Sequence, residues 1–306
     1  MSDSITTLPF SAKLDIAFKK LFTEHVNEFR AFLSDMLELP GRSLNKIQFL
    51  DTELKPSTMN EKLSRLDIRA DVGGKHIDVE IQIKNNHDYR QRSLFYWAKL
   101  YTTDSEQGER YDQLRPAITL NLLDYTLFPD RTEYHATVKP MFTDTHATFS
   151  EHQIMHFFEL SKVKFPLEMK PPIGRIKRQR LWLLFLNATN EEELQMIESM
   201  QDPNINAMIL HFRTLCHDAT FKHRAINRQI EILDYNSDMY HARQEGIEIG
   251  RKLGIEIGNG RGRANSVRML MQNGHCDQDT ACQMLGISEA EKTQVLTLLA
   301  QMQAKP

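Results

Sequence analysis

The stretch RLDIRADVGGKHIDVEIQIK, residues 65–84, decides the fold. Leu66, Ile68, Ala70 and Val72 alternate with Arg65, Asp67, Arg69 and Asp71. Beyond Gly73-Gly74, Ile77, Val79, Ile81 and Ile83 alternate with Asp78, Glu80, Gln82 and Lys84. Alternation with period two gives each segment one apolar and one polar face, and a diglycine between two such segments predicts a β-hairpin. A two-residue turn sets Val72 opposite Lys75, Arg69 opposite Asp78, Asp67 opposite Glu80 and Arg65 opposite Gln82. Asp67 and Glu80 then share one face, with Cβ atoms about 4.5–5.5 Å apart. Like charges so placed are destabilising unless something positive joins them. Arg65 and Arg69 offer one such partner; a divalent cation is the other, and carboxylate oxygens suit Mg²⁺ or Mn²⁺.

Outward from the hairpin, the chain alternates helix and strand. SAKLDIAFKKLF (11–22) is an amphipathic helix with Ser11 as its expected cap, and a second follows with Val26, Phe29, Phe32, Leu33 and Met36 at helical spacing. KIQFLDTEL (46–54) is a predicted strand, residues 88–103 a helix, and PAITLNLLD (116–124) a buried strand. The order helix, helix, three strands, helix, strand describes a layered α/β unit. On the 88–103 helix, Tyr89, Arg92, Tyr96 and Lys99 share a face. A mixed basic and aromatic face can contact phosphates and stack bases; a plain amphipathic helix with half-buried tyrosines is the other reading.

These pieces resemble the PD-(D/E)XK nuclease superfamily, and more narrowly the recombination-promoting nuclease, or transposase-like, family. The resemblance is carried in order by DIAFKKLF (15–22), RLDIRA (65–70), DVEIQ (78–82), RSLFYWAKLY (92–101), GERY (108–111) and PAITLNLLDY (116–125). It implies a restriction-endonuclease-like α-β-β-β-α-β core, with a mostly helical C-terminal region, and a metal-dependent DNA endonuclease tied to recombination or mobile elements. It carries Asp67 and Glu80 over as ligands of Mg²⁺ or Mn²⁺. Gln82 stands where the superfamily has lysine, so the general base is unassigned, although an amide can orient a water. Lys84 lies one pleat further on the same face and Lys19 can reach in from the first helix. Asp15 matches the acid that the superfamily places there, or forms an i,i+4 surface pair with Lys19. With the resemblance, Arg92, Tyr96, Lys99 and Lys84 become DNA-contact candidates.

The expected divisions are a nuclease-like domain at 1–170, a helical region at 171–245, a glycine-repeat connector at 246–264 and a small helical domain at 265–306. Pro171-Pro172 breaks the chain, and Arg175, Lys177, Arg178 and Arg180 form a phosphate-contact patch or a solvated helix face. The segment EGIEIGRKLGIEIGNGRG (245–262) has glycine at every fourth position but lacks the Gly-Lys-Ser/Thr of a phosphate loop. The last helices have an acidic start at Ser288-Glu289-Ala290-Glu291, poorly suited to reading DNA, and an apolar stripe of Leu296, Leu299 and Met302 that fits dimerisation or regulation.

Composition narrows the alternatives. A chain of 306 residues, 41% hydrophobic and 26% charged, is neither low-complexity nor collagenous. A net charge of −3 supplies no bulk attraction to nucleic acid, so any such attraction must be local or metal-mediated. The longest apolar run, 181–186, is far short of the roughly 20 residues a membrane span needs. Three cysteines without a CxxC pair argue against zinc fingers and disulfide scaffolds, and Cys276 and Cys282 with His275 are not expected to hold zinc. MSDSITTLPF has no leader pattern, so a cytoplasmic protein is expected, partnered by DNA and by a second copy of itself through the C-terminal region. Two other functions compete: a non-catalytic, oligomeric DNA-binding or regulatory protein on a degenerate nuclease core, and a nuclease acting on RNA.

Overall fold

A computed structural model describes residues 6–39, 44, 46–54, 64–65, 67–84, 88–103, 110–166, 178–274 and 276–303. Two compact units divide the chain, Met1–Leu233 and Asp234–Pro306.

The hairpin forms as its alternation requires. Strand β4 (Ile68–Val72) pairs antiparallel with β5 (Lys75–Gln82), with Val72 opposite Lys75 and Arg69 opposite Asp78. Gly73 and Gly74 sit at φ +60° and +82°, a left-handed turn that glycine adopts without a Cβ penalty. The expected strand at 46–54 divides in two. Strand β1 (Ile47–Phe49) pairs with β4, whereas β2 (Glu53–Leu54) pairs with β3 (Ser64–Arg65) in a separate ribbon. Helix α3 (Tyr89–Thr102) then crosses over to β6 (Ala117–Leu123), which lies parallel to β5. Strands β7 (His135–Val138) and β8 (Gln153–Glu159) complete a six-stranded mixed sheet in the order β1-β4-β5-β6-β8-β7. The architecture is α/β, with the helical C-terminal part that the chain's pattern implied.

The two faces of this sheet differ chemically. Ile68, Ala70, Val72, Ile77, Val79, Ile81, Ile118, Leu120 and Leu122 turn one face into the main core, together with Phe18, Phe22, Phe32 and Trp182. Those aromatics come from α1 (Asp15–Glu24), α2 (Val26–Met36) and α4 (Arg178–Asn187). Helices α5 (Glu191–Glu198) and α6 (Pro203–His217) complete this layer; Asn190 caps α5 by accepting the Glu193 N–H at 2.9 Å. Ser11 is not the α1 cap. The helix starts at Asp15, and the Ser11 hydroxyl donates instead to the Leu186 carbonyl at 3.1 Å.

The polar face lies under α3. Tyr89 is fully buried, and its hydroxyl donates to Asn121 Oδ1 at 2.9 Å. Asn121 in turn donates to Thr119 Oγ1 and to the His156 carbonyl, at 3.2 and 2.9 Å. Tyr89→Phe leaves the Asn121 oxygen without its donor, a buried loss of about 1–3 kcal/mol. Urea unfolding should show that loss with an unchanged slope; an unchanged midpoint would remove the network from the fold's stability.

The glycine repeat is helical along its whole length. Residues 246–264, expected as a connector, lie inside α7 (Ala219–Gly274), a helix of 56 residues. Gly246, Gly250, Gly254, Gly258 and Gly262 have open space where a Cβ would stand, but at Gly260 the Leu298 side chain would be 2.9 Å away. That contact comes from α9 (Glu289–Gln303), which packs with α8 (Gln278–Met284) on the end of α7. Leu299 is buried against Val267, Cys282 and Val295, with Leu296 and Met302 partly buried beside it. At the start of α9 the Ser288 backbone N–H donates to Glu291 Oε2 at 3.3 Å, one half of a capping box, and the Ser288 hydroxyl donates to the same oxygen at 2.8 Å. Among the described residues no helix is long and apolar enough to cross a membrane.

Candidate functional site

Four side chains of β5 and its flanks line the polar face. Strand β5 is central, with β4 on one side and β6 on the other, so its polar row is enclosed. Asp78 and Glu80 are 0% and 2% exposed, where a two-stranded surface hairpin would have left them wet. Asp67 stands just before β4, where the hairpin register puts it across from Glu80. The pair is locked reciprocally. The Asp67 N–H donates to Glu80 Oε1 at 3.0 Å, and Asp67 Oδ2 accepts the Ile81 N–H at 2.8 Å. Gln82 follows one pleat further, and its amide donates to Glu80 Oε2 at 3.1 Å. The residue in the superfamily's lysine position thus holds the glutamate.

Asp78 was read from the register as a partner of Arg69. The two are opposite one another, yet Arg69 donates to the Asp51 carbonyl at 3.5 Å, and no ion pair joins it to Asp78 among the described residues. Both Asp78 oxygens are buried without a hydrogen-bond partner there. A buried carboxylate of this kind is costly unless something compensates it. The acidities follow. Burial, then the neighbouring Asp67 charge, pushes Asp78 well above the usual carboxylate range, and Arg69 works against the rise. Glu80 is also raised well above its ordinary value, by burial first and then by Asp78 and Asp67. Burial lifts Asp67 to about 6; the Ile81 N–H resists this, and the charge of Asp15 adds to it. Carboxylates crowded in this way are the donor type that a hard divalent cation takes, and the orphaned Asp78 oxygens are what such an ion could compensate.

Helix α1 brings two expected residues to this cluster. Asp15 and Lys19 both act electrostatically on Asp67, with opposite signs. Asp15 is not paired with Lys19 among the described residues. Arg228 of α7 grips it with two nitrogens, Nη2 to Oδ2 at 2.7 Å and Nε to Oδ2 at 3.0 Å. From α3, Arg92 donates to the Tyr96 hydroxyl at 2.9 Å, packs over that ring at 5.0 Å, and favours the ionised forms of Asp67 and Glu80. Arg92 and Tyr96 are half-buried.

Other candidates sit elsewhere. Lys99 lies two residues past Trp97, whose indole N–H reaches the Ala117 carbonyl at the start of β6, the end of the sheet away from Glu80. Its ammonium rests over the Phe95 ring at 5.4 Å. Lys84 is half-buried beyond the end of β5. Tyr89 is interior and offers nothing to a nucleic acid. In the basic run after Pro171-Pro172, Arg175 and Lys177 lie outside the described residues, as do His275, Gly108 and Glu109. Arg178 pairs with Asp202 at 3.2 Å, and Arg180 donates to the Lys164 carbonyl, so both serve the fold. Asp78, Asn121 and Arg228 were missed. Only Asp78 left a trace in the chain, its place two residues before Glu80 on the same strand face.

The sequence model of a family described as PD-(D/E)XK nuclease family transposase matches residues 12–245, which include every carboxylate of the cluster. No curated protein and no solved structure matched.

Proposed function

The chain belongs to the PD-(D/E)XK nuclease family of transposases, and on that premise we propose that it is a metal-dependent DNA endonuclease. Membership supports a nuclease role in mobile-element biology, and such nucleases generally use divalent metals. The observation that carries the finer reading is the row Asp67, Asp78 and Glu80, the first half-buried and the other two buried, with the Asp78 oxygens unsatisfied. Asp67 and Glu80 would hold Mg²⁺ or Mn²⁺, with Asp78 as a third carboxylate. When bound, such an ion acidifies a water and offsets charge on phosphate oxygens.

The chain's own residues do the rest. Gln82 fixes the Glu80 carboxylate and presents an amide beside it. Arg92 and Lys19 place positive charge next to Asp67, where a phosphate group would otherwise meet only repulsion. Arg228 holds Asp15, which keeps that acid away from Lys19. Arg92, Tyr96 and Lys84 are the proposed contacts to the DNA backbone and bases, and Lys99 a more distant one.

The occupied Gln82 amide favours a second reading, a DNA-binding protein on a core that no longer cuts. Incubating the full-length protein with supercoiled plasmid or structured RNA separates the readings. Nicked circles in Mg²⁺ or Mn²⁺, lost on chelation, are expected with DNA. Binding without product in either metal would favour the second reading, and cleavage of RNA alone would replace DNA as substrate.

A further inference from the structure

On the opposite, apolar side of the sheet, three helices bring a different donor set together. His25 occupies the junction between α1 and α2, Glu28 follows within the first turn of α2, and His211 comes from α6. One ligand atom from each lies within 4.8 Å of the other two, and all three residues are half-buried. The imidazoles stack with centroids 3.4 Å apart and planes 10° from parallel. His211 Nε2 stands 3.9 Å from Glu28 Oε1, too far for a hydrogen bond.

The geometry points to a second metal site here, one for a first-row transition cation of the Zn²⁺ class, built from His25, Glu28 and His211. The chemistry of the donors selects the ion. Two neutral imidazoles with one carboxylate suit Zn²⁺, Co²⁺ or Ni²⁺, whereas Mg²⁺ prefers oxygen alone. Donors on one tetrahedral zinc lie roughly 3.3 Å apart, each about 2.0–2.1 Å from it, and each lone pair lies in its ring plane, so the two imidazoles must rotate out of their parallel stack for both to meet one ion. A cavity of about 230 Å³ opens beside the two rings and gives an ion and its waters room to enter. Lys20 also lines that cavity, but Glu24 holds its ammonium at 2.6 Å and offsets the charge. A bound ion would tie the α1–α2 junction to α6, segments almost the whole first unit apart in sequence, and would therefore stabilise the fold.

The experiment uses the full-length protein in excess Mg²⁺, which leaves the carboxylate cluster occupied by the harder ion. Zn²⁺ is titrated in competition with a chromophoric chelator, and Co²⁺ is followed by its visible absorption. Wild type and Asp67→Asn should bind one ion with the same affinity, gain thermal stability from micromolar Zn²⁺ and develop a Co²⁺ band. His211→Gln and Glu28→Gln should each weaken binding by at least about tenfold, since even partners one step removed from a metal are worth 10–100-fold. Their unfolding in chelator should match wild type; if His211→Gln does not fold, Glu28→Gln decides. The site is wrong if wild type cannot compete for Zn²⁺, or if a folded Glu28→Gln or His211→Gln keeps wild-type affinity. Loss in Asp67→Asn instead would move the ion to the carboxylates.

Discussion

Glu80→Gln should abolish Mg²⁺-dependent nicking of plasmid DNA while the protein stays folded. The substitution keeps the shape of the side chain. Its carbonyl can still accept the Asp67 N–H, and the Gln82 amide can turn to meet the new NH₂. What disappears is the negative charge. Without it a divalent ion loses one of its holders, and several kcal/mol of transition-state stabilisation go with it, on the order of 10³-fold in rate. Asp67→Asn should behave alike, and it is a better probe than Asp67→Ala, since Ile81 keeps an acceptor for its N–H. In metal-free buffer both variants should melt at or above the wild-type temperature, because a repelled buried charge has been removed. Gel assays of nicking alongside calorimetric unfolding check the pair of outcomes. Wild-type cutting by either variant would end the assignment of these two residues.

The second large effect concerns Asp78 and pH. An unfolded aspartate ionises near pH 3.9, but Asp78 in the native chain is held well above the usual carboxylate range by burial and by the charge of Asp67. Between those two values the native state binds more protons than the unfolded one, so this group's contribution is full below about pH 4 and is lost as pH rises. Asp78→Asn removes that loss. In metal-free buffer the variant should match wild type near pH 4 and gain on it above, at no more than about 1.4 kcal/mol per pH unit. The difference between the two proteins is the quantity to follow. His156, lowered to about 4 by burial and by His135, pulls the profile of both in the opposite direction between about pH 4 and 6.5. Millimolar Mg²⁺ should shrink the gap by stabilising the wild type more than the variant, which lacks the third carboxylate. Denaturant unfolding at three pH values, with and without Mg²⁺, gives the curves. A gap independent of pH would mean that Asp78 carries no displaced proton.

Much of this was legible before any coordinates. Alternation about Gly73-Gly74 predicts the register in which Asp67 meets Glu80, because a period of two leaves no freedom once the turn length is set. The burial of that polar face was not legible, since it depends on where β6 and α3 come to rest. Asn121 hides in a strand that reads as apolar, and Arg228 reaches Asp15 across 213 positions of chain. Asp78 faces Arg69 in register, so spacing alone describes an ordinary cross-strand pair. At the C-terminus, propensity argued for a connector at 246–264, and the chain forms helix there regardless. Helix-interior glycine carries a penalty of about 1 kcal/mol against alanine, too small to break a helix that neighbours extend from both ends.

That penalty has a consequence for α7. Five of its glycines are not demanded by any neighbour, since alanine would fit at each. Holding glycine where alanine fits concentrates backbone entropy in one stretch of the rod. Its ladder of amides should therefore breathe on a faster timescale than the flanking turns and trade hydrogen for solvent deuterium first. Bending stiffness along this helix is thus graded rather than uniform, with the most compliant segment at its glycine-spaced middle.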